Sequence, residues 1–379
     1  MRSYFLIILI SITIAFNAYS AEKIDCTSHR CIAVINAGST GSRVYIYTYD
    51  LDTTNTPTHI TKVWSNAIKP GLATLEPKSS AIFPYLNELL NELPEYKGRV
   101  YFYATAGMRL NSKENTDAIY TLIRTWFKGK ENLKLIEART IEGKEEGLFD
   151  WLAVNYQLKR LNQTSKPLAA VIDIGGASTQ IAFPLPESQP DGLNDEQNIY
   201  SLTLYGHKVK VVSYSFLGLG ENKALEPFQK FSPCYAQGYP LSAEIQGRGN
   251  MPQCTQSITK LINTYPLNDV KKLVSSYSPQ EWYLIGGITY MLDSIHLKTN
   301  DKFTNQEMAS KSEQQFCQTL WSTLKDDAKK QDNRQNSCAV SSYLYSLLVN
   351  GYGISNKEPI NLMPNNQIDW SIGVVFLNP

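Results

Sequence analysis

The chain has 379 residues, of which 42% are hydrophobic and 19% charged, and its formal net charge is +1. This length and composition suit two domains with well-filled cores and exclude a disordered or fibrous chain. Near-neutrality gives no bulk electrostatic case for nucleic acid as a partner, so a phosphorylated ligand has to be held by local groups.

The first residues, Met1-Arg-Ser-Tyr-Phe-Leu-Ile-Ile-Leu-Ile-Ser-Ile-Thr-Ile-Ala-Phe16, place one basic residue before an apolar run, and Ala18-Tyr-Ser20 follows. Residues 1–20 read as a secretory signal peptide cleaved before Ala21. The run is shorter than the roughly 20 residues a span needs, and no second candidate follows, so no membrane span is expected after cleavage. The expected location is secreted or periplasmic, and the expected state is a monomer. Six cysteines fit export. The simplest pairing is local: Cys26–Cys31, Cys234–Cys254 and Cys317–Cys338. A zinc site is not supported, because no Cys-x-x-Cys occurs and the four histidines are scattered.

Residues 31–50 predict two strands around a Gly turn, with a further strand over about 60–66 and a helix from Lys78 to Leu93. Arg99 to Thr105 reads as a buried strand, 112–128 as a helix, and Leu133 to Glu137 as a short strand. A long helix is expected from Glu142 to Leu161. The scheme then restarts: strand 168–173, Gly turn, strand 178–183, strands near 200–216, then helices. Pro184 to Asn198 reads as a surface loop or a substrate flap. Strands first and helices after, done twice, predict a duplicated α/β fold with a cleft between its halves.

Two segments carry the same device. The first is Cys31-Ile-Ala-Val-Ile-Asn36-Ala-Gly38-Ser39-Thr40-Gly41-Ser42-Arg43; the second is Leu168-Ala-Ala-Val-Ile-Asp173-Ile-Gly175-Gly176-Ala177-Ser178-Thr179-Gln180. Each is an apolar β run, an Asn or Asp, then a turn of small residues. Successive N–H groups and hydroxyls in such a turn form an anion-binding concavity, and two of them can grip a polyphosphate from both sides. An acid at the strand end among hydroxyls suits a hydrated hard cation. No Walker-type phosphate loop is present.

The chain resembles the ecto-nucleoside triphosphate diphosphohydrolase (apyrase) family, within the superfamily of actin, sugar kinases and heat-shock chaperone ATPases. The resemblance runs from about Cys31 to Phe376. It rests on Asn36 to Arg43, Tyr103-Ala-Thr-Ala-Gly-Met-Arg109, Ile141 to Trp151, Asp173 to Gln180, Tyr283-Leu-Ile-Gly-Gly287 and Trp370-Ser-Ile-Gly373. It implies two actin-like (RNase H-like) domains, mixed sheets flanked by helices, with the active site in the cleft between them. The expected division is 21–141 plus 362–379 for domain I and 142–361 for domain II.

The resemblance also implies roles. Glu146 takes the catalytic-base position, a carboxylate placed to accept a proton from the attacking water. Ser178 and Gln180 hold that water. Gly38, Ser39, Thr40, Gly41, Ser42 and Arg43 on one side, and Gly175, Gly176, Ala177 and Ser178 on the other, bind phosphates. A divalent cation (Mg²⁺, Mn²⁺ or Ca²⁺) is held mostly through water by Asn36, Thr105, Asp173 and Trp370. Thr105 also reads as a β-branched core residue, Trp370 as a core Trp, and Arg109 as either a structural pair or a phosphate clamp. Tyr290 or Tyr345 is a candidate for stacking on the base.

Two departures stand out. The family has Asp at the end of the first strand where this chain has Asn36, and Gly218 and Glu221 occupy places that hold Cys and Arg in animal enzymes. With one negative charge missing, Asn36→Asp is expected to lower the cation concentration needed for half-maximal activity. The leading expectation is a secreted, divalent-metal-dependent hydrolase of nucleoside 5′-tri- and diphosphates, transferring phosphate directly to water. The alternatives are a nucleotide-binding protein with weak turnover because of Asn36, and an ATP-dependent phosphotransferase of the same superfamily.

Overall fold

Val-, Ile- and Tyr-rich runs flank both Gly turns, and each pair closes as an antiparallel hairpin, as β-branched and aromatic residues favour. The computed structural model describes residues 24–163, 165–186, 196–279, 281–292, 295–298, 301–328, 334–363 and 368–379; the expected signal peptide lies outside them. The first half contributes β1 (Arg30–Ala37), β2 (Ser42–Leu51), β3 (Pro57–Ile68), α1 (Ser79–Leu89), β4 (Gly98–Ala104), α2 (Ala106–Arg109), α3 (Lys113–Lys128) and β5 (Leu133–Thr140). Helix α4 (Gly143–Gln157) leads into β6 (Ala170–Ile174), β7 (Ser178–Leu185), β8 (Ile199–Leu204), β9 (His207–Leu217), α5 (Glu221–Leu225), α6 (Met251–Ile262) and α7 (Asn268–Tyr277). The chain continues through β10 (Trp282–Ile285), α8 (Ile288–Leu292), β11 (Lys302–Thr304), α9 (Asn305–Ser312), α10 (Trp321–Ala328), α11 (Ser337–Tyr345), β12 (Pro359–Leu362) and α12 (Ser371–Leu377).

Two mixed sheets result, ordered β3-β2-β1-β4-β5 and β11-β12-β10-β6-β7-β9-β8. Their centres repeat one topology. The hairpin β1–β2 extends antiparallel to β3 and parallel to β4 and β5. The hairpin β6–β7 extends antiparallel to β9 and parallel to β10 and β12. The duplication expected from the sequence is therefore present strand for strand around each turn.

Some boundaries differ from the expected ones. Helix α4 stops at Gln157 rather than Leu161, because Leu158 caps it and Lys159 turns left-handed at φ 55°. Helix α1 stops at Leu89, and Glu92 at φ 56° precedes Pro94, which breaks the expected run to Leu93. Pro184 and Leu185 belong to β7 rather than to the following loop, most of which lies outside the described residues.

Each sheet has a core on its outer side, and a third core joins the two. The joining core takes Ile32, Val34, Tyr101 and Tyr103 from the first sheet and Val171, Ala182, Val211 and Ile285 from the second. Between them lie α4, packed on β6, β7 and β9, and α12, packed on α4, β1 and β3. Every residue of α4 from Glu146 to Asn155 is buried. Over this stretch the helix has no solvent stripe, and its two acids, Glu146 and Asp150, are confined to the joining layer.

The three disulfides join Cys26–Cys31, Cys234–Cys254 and Cys317–Cys338, and no described cysteine is free. Closing a loop of the size of the two larger ones is worth roughly 3 kcal/mol. None lies in a phosphate turn, so reduction is expected to lower the melting temperature at reductant levels that leave turnover at 25 °C intact. Peptide mapping without reduction should return these three links; a free thiol or a long-range link would contradict the assignment.

Candidate active site

The two hairpin turns match atom for atom in their closing bond. Gly38 N–H donates to Gly41 O at 2.9 Å, and Gly175 N–H donates to Ser178 O at 3.1 Å. In register, Asn36 stands opposite Arg43, and Asp173 opposite Gln180. Asn36 and Asp173 are thus equivalent positions of the duplicated fold. The turns also face each other: a Cβ on Gly176 would sit 3.0 Å from Ser39 Oγ and 3.2 Å from Thr40 Cγ2. Only glycine leaves this approach open. Ala177 and Ser178 are held from behind, where Gly218 N–H donates to Ala177 O at 2.8 Å. Asn222 N–H and Lys223 N–H both donate to Gly176 O. Ser42 departs from the expected set: its hydroxyl is fully buried and accepts from Tyr85 at 2.8 Å, so its side chain faces the fold, not the turn.

Glu146, in the first turn of α4, is 6% exposed. Its Oε2 accepts from Arg109 at the end of α2 and from Gln180 Nε2 at 3.3 Å. Gln180 Nε2 also lies 2.9 Å from both Ser178 Oγ and Ser215 Oγ. Glu146, Ser178 and Gln180 are therefore one connected group beside the second turn. Arg109 resolves as the ion-pair partner of Glu146. The neighbouring acids are differently placed: Glu142 caps α4 in solvent, and Glu145 is held by Arg139 at 2.7 and 2.5 Å. Burial raises the Glu146 carboxyl, while Arg109 pulls it back and Asp369 adds a smaller upward push. With Glu146 acting as general base, the expected pH–kcat profile has its acid limb above the ordinary carboxylate range, since a base works only deprotonated. Arg109→Met removes the lowering charge, so that limb should move to higher pH; an unmoved limb would detach the pair from catalysis.

Two acids in this layer were not anticipated. Asp150, one turn along α4 from Glu146, is 2% exposed. Its carboxyl is held well above the ordinary range, first by burial and then by the charges of Asp173, Glu146 and Asp369. Asp173 is raised by burial and then by Glu146. Asp369, just before α12, accepts from Asn36 Nδ2 at 2.9 Å and from Ser371 N–H at 2.9 Å. Asp173 Oδ1 and Asp150 Oδ2 are buried with no hydrogen-bond partner among the described residues. The sequence held one signal for Asp150, a carboxylate four residues from Glu146 on a helix face shared with Trp151 and Val154. Nothing local marks Asp369.

Thr105 is buried where β4 ends beside β1, its N–H donating to Ala37 O at 3.2 Å. Trp370 is buried in an aromatic stack, its ring centroid 5.9 Å from Phe149 and 6.5 Å from Tyr103. Its core reading describes its contacts, and Asp369 beside it reaches the acids instead. Tyr290 is 64% exposed and lines a cleft of about 430 Å³ with Arg43, Tyr45 and Asp369. Tyr345 is half-buried against the second sheet's outer core and is not among that cleft's lining residues. Glu221 donates its N–H to Gly175 O at 2.9 Å, and burial pushes its carboxyl up to about 7.

Asn36 changes meaning in this setting. Its amide is the donor to a carboxylate, so a second carboxylate there would abut Asp369 at hydrogen-bond distance. Like charges at this range repel strongly in a buried site, so Asn36→Asp is expected to lower stability without metal while still favouring cation binding.

The two-sheet architecture with paired turns is an actin-like fold. A nucleoside triphosphate hydrolase from Neospora caninum matches with TM-score 0.58 at 14% identity, covering 92% of each chain. An Aquifex aeolicus member of the Ppx/GppA protein family matches with TM-score 0.53 at 15% identity, covering 92% of this chain and 97% of the other. Residues 22–378 match the GDA1/CD39 (nucleoside phosphatase) family, and the chain belongs to that family of hydrolases. Among curated relatives, a nucleoside-diphosphatase of Caenorhabditis briggsae, mig-23, is 26% identical over 90% of this chain and 76% of its own. Ectonucleoside triphosphate diphosphohydrolase 1 of Bos taurus is 25% identical over 90% and 80%, and guanosine-diphosphatase of Schizosaccharomyces pombe 25% over 90% and 72%.

The family's enzymes use divalent cations in general. The residues present fit one. Glu146, Asp150 and Asp173 are buried together and repel one another, and a divalent cation would relieve that repulsion. Among the described residues, no three His, Cys, Asp or Glu side chains come together as direct ligands. A hard cation here would take much of its shell from water and phosphate.

Proposed function

We propose that the protein hydrolyses the terminal phosphate of nucleoside 5′-tri- and diphosphates, with Glu146 as general base. The observation that carries this is the placement of Glu146, Gln180 and Ser178 as one bonded group beside the second glycine turn. The names of the family's relatives supply the substrate class.

The water is held by Gln180 and Ser178. Its oxygen attacks the terminal phosphorus as the bridging P–O bond breaks, and its proton passes to Glu146, leaving inorganic phosphate and the shortened nucleotide. The turn residues from Gly38 to Ser42 and from Gly175 to Ser178 hold the non-bridging oxygens, a case of positioning plus charge stabilisation, while the N–H groups of Gly38 and Gly175 themselves close the hairpins. Asp173, Thr105 and the Asn36–Asp369 pair would hold a divalent cation (Mg²⁺, Mn²⁺ or Ca²⁺) through water, and the cation would supply neutralisation of phosphate charge. Tyr290, exposed beside Arg43 and Asp369, is the side chain we assign to stacking on the base. Three disulfides and the signal-like first 20 residues support export; no described helix is long and apolar enough to cross a membrane.

The test is phosphate release from a panel of nucleoside tri-, di- and monophosphates with each cation, without any acceptor. Release from tri- and diphosphates, abolished by chelator, supports the reading. Binding without release would make the protein a nucleotide carrier, and transfer only to an added acceptor would make it a phosphotransferase.

A further inference from the structure

The duplicated hairpins place Asn36 where the second repeat places Asp173, so symmetry calls for a carboxylate at the end of β1. The structure supplies one from elsewhere in the chain. Asp369 sits 333 residues away in sequence, with its Oδ2 2.9 Å from Asn36 Nδ2. Its Oδ1 is fixed by Ser371 N–H at 2.9 Å, so both oxygens are oriented. Asp369 is close enough to act electrostatically on Glu146, Asp150 and Asp173 together. The layer it faces contains two unpartnered, nine-tenths-buried carboxylate oxygens, Asp150 Oδ2 and Asp173 Oδ1. Asp150 and Asp173 are hydrogen-bonded to each other, and an unsatisfied buried oxygen on each of such a pair is a place where a cation or a water can sit.

We infer that Asp369 is a positioning residue for the divalent cation, supplying the carboxylate that Asn36 lacks, and that Asn36 serves to hold it. Asn36 and Asp369 thus act as one unit, an amide donor and a carboxylate, in place of a single acid at the strand end. This rests on the hydrolase reading above, because the cation belongs to that chemistry. The arrangement makes a specific demand: charge and amide should be exchangeable between the two positions, but neither should tolerate change alone.

The test uses the full chain and Mn²⁺ as probe, with binding measured by calorimetry or by the EPR signal of free Mn²⁺ and thermal stability read in parallel. Asp369→Asn should weaken Mn²⁺ binding by about tenfold or more, as loss of a ligand charge does for hard cations. Asn36→Asp should lower the melting temperature without metal and show an enlarged stabilisation by Mn²⁺. The exchanged variant Asn36→Asp/Asp369→Asn should recover wild-type Mn²⁺ affinity to within a few-fold. Asp369→Asn is isosteric and carries the test alone if Asn36→Asp does not fold. Unchanged Mn²⁺ binding in Asp369→Asn, or an exchanged variant as weak as the single one, overturns the inference while nucleotide hydrolysis by the wild type leaves the parent reading standing. A wild type that neither binds Mn²⁺ nor releases phosphate overturns both.

Discussion

Glu146→Gln is expected to lower kcat by about 10²–10⁴-fold, the usual loss when a positioned general base is removed. The variant keeps the shape of the side chain, and its amide oxygen can still accept from Gln180. Nucleotide affinity should change far less than kcat, because phosphates are held by the turns rather than by α4. The acid limb of the pH profile should vanish with the base that causes it. Glu142→Gln and Glu145→Gln serve as comparisons, since one is in solvent and the other is engaged by Arg139. Single-turnover phosphate release with parallel nucleotide binding checks all three. Near-wild-type turnover in Glu146→Gln, or an equal loss in Glu142→Gln, would remove Glu146 from the role.

The second large effect is expected at Gly286. It follows β10, whose Ile285 pairs with Asp173 on β6, and its φ is +93°, a region closed to side chains. A Cβ there would lie 1.9 Å from Asp173 Oδ1 and 2.6 Å from Ile174 O. Gly286→Ala therefore carries a backbone penalty of about 1–3 kcal/mol and must also displace the Asp173 carboxylate. Loss of both melting temperature and kcat is expected. The fall in kcat should exceed about tenfold if Asp173 positions the cation, since a hard cation depends on the charge and placement of its oxygen donors. Gly287→Ala is the control: its Cβ would have only Ile174 O nearby, at 3.8 Å. Calorimetric melting and phosphate release on the two variants provide the check. Equal behaviour would mean that the Asp173 position is not critical.

What the sequence made legible was local. Each hairpin reads from an apolar run, small turn residues and β-prone continuation, all within about a dozen positions, and the turns close as that pattern implies. The equivalence of Asn36 with Asp173 follows from the same repeat. The missing parts depend on distant contacts. Arg109 meets Glu146 across 37 residues, and Asp369 meets Asn36 across 333. No periodicity records either pairing. Asp150 was hidden for another reason: α4 is buried all round, so its apolar stripe gave no clean polar face against which an internal acid would stand out. Strands β11 and β12 are three and four residues long, too short for alternation to register. The contact that qualifies charge at position 36 has the same origin, since its partner Asp369 is distant in sequence.

The steric course of the reaction tests direct water attack most squarely. A nucleoside 5′-triphosphate carrying a chiral, isotopically labelled γ-thiophosphate would be turned over in isotopically distinct water, and the configuration of the released thiophosphate read out. A single displacement by the water that Glu146 activates predicts inversion, with one oxygen from solvent in the thiophosphate. Retention would contradict the account, because it requires a phosphorylated enzyme intermediate formed on a side chain.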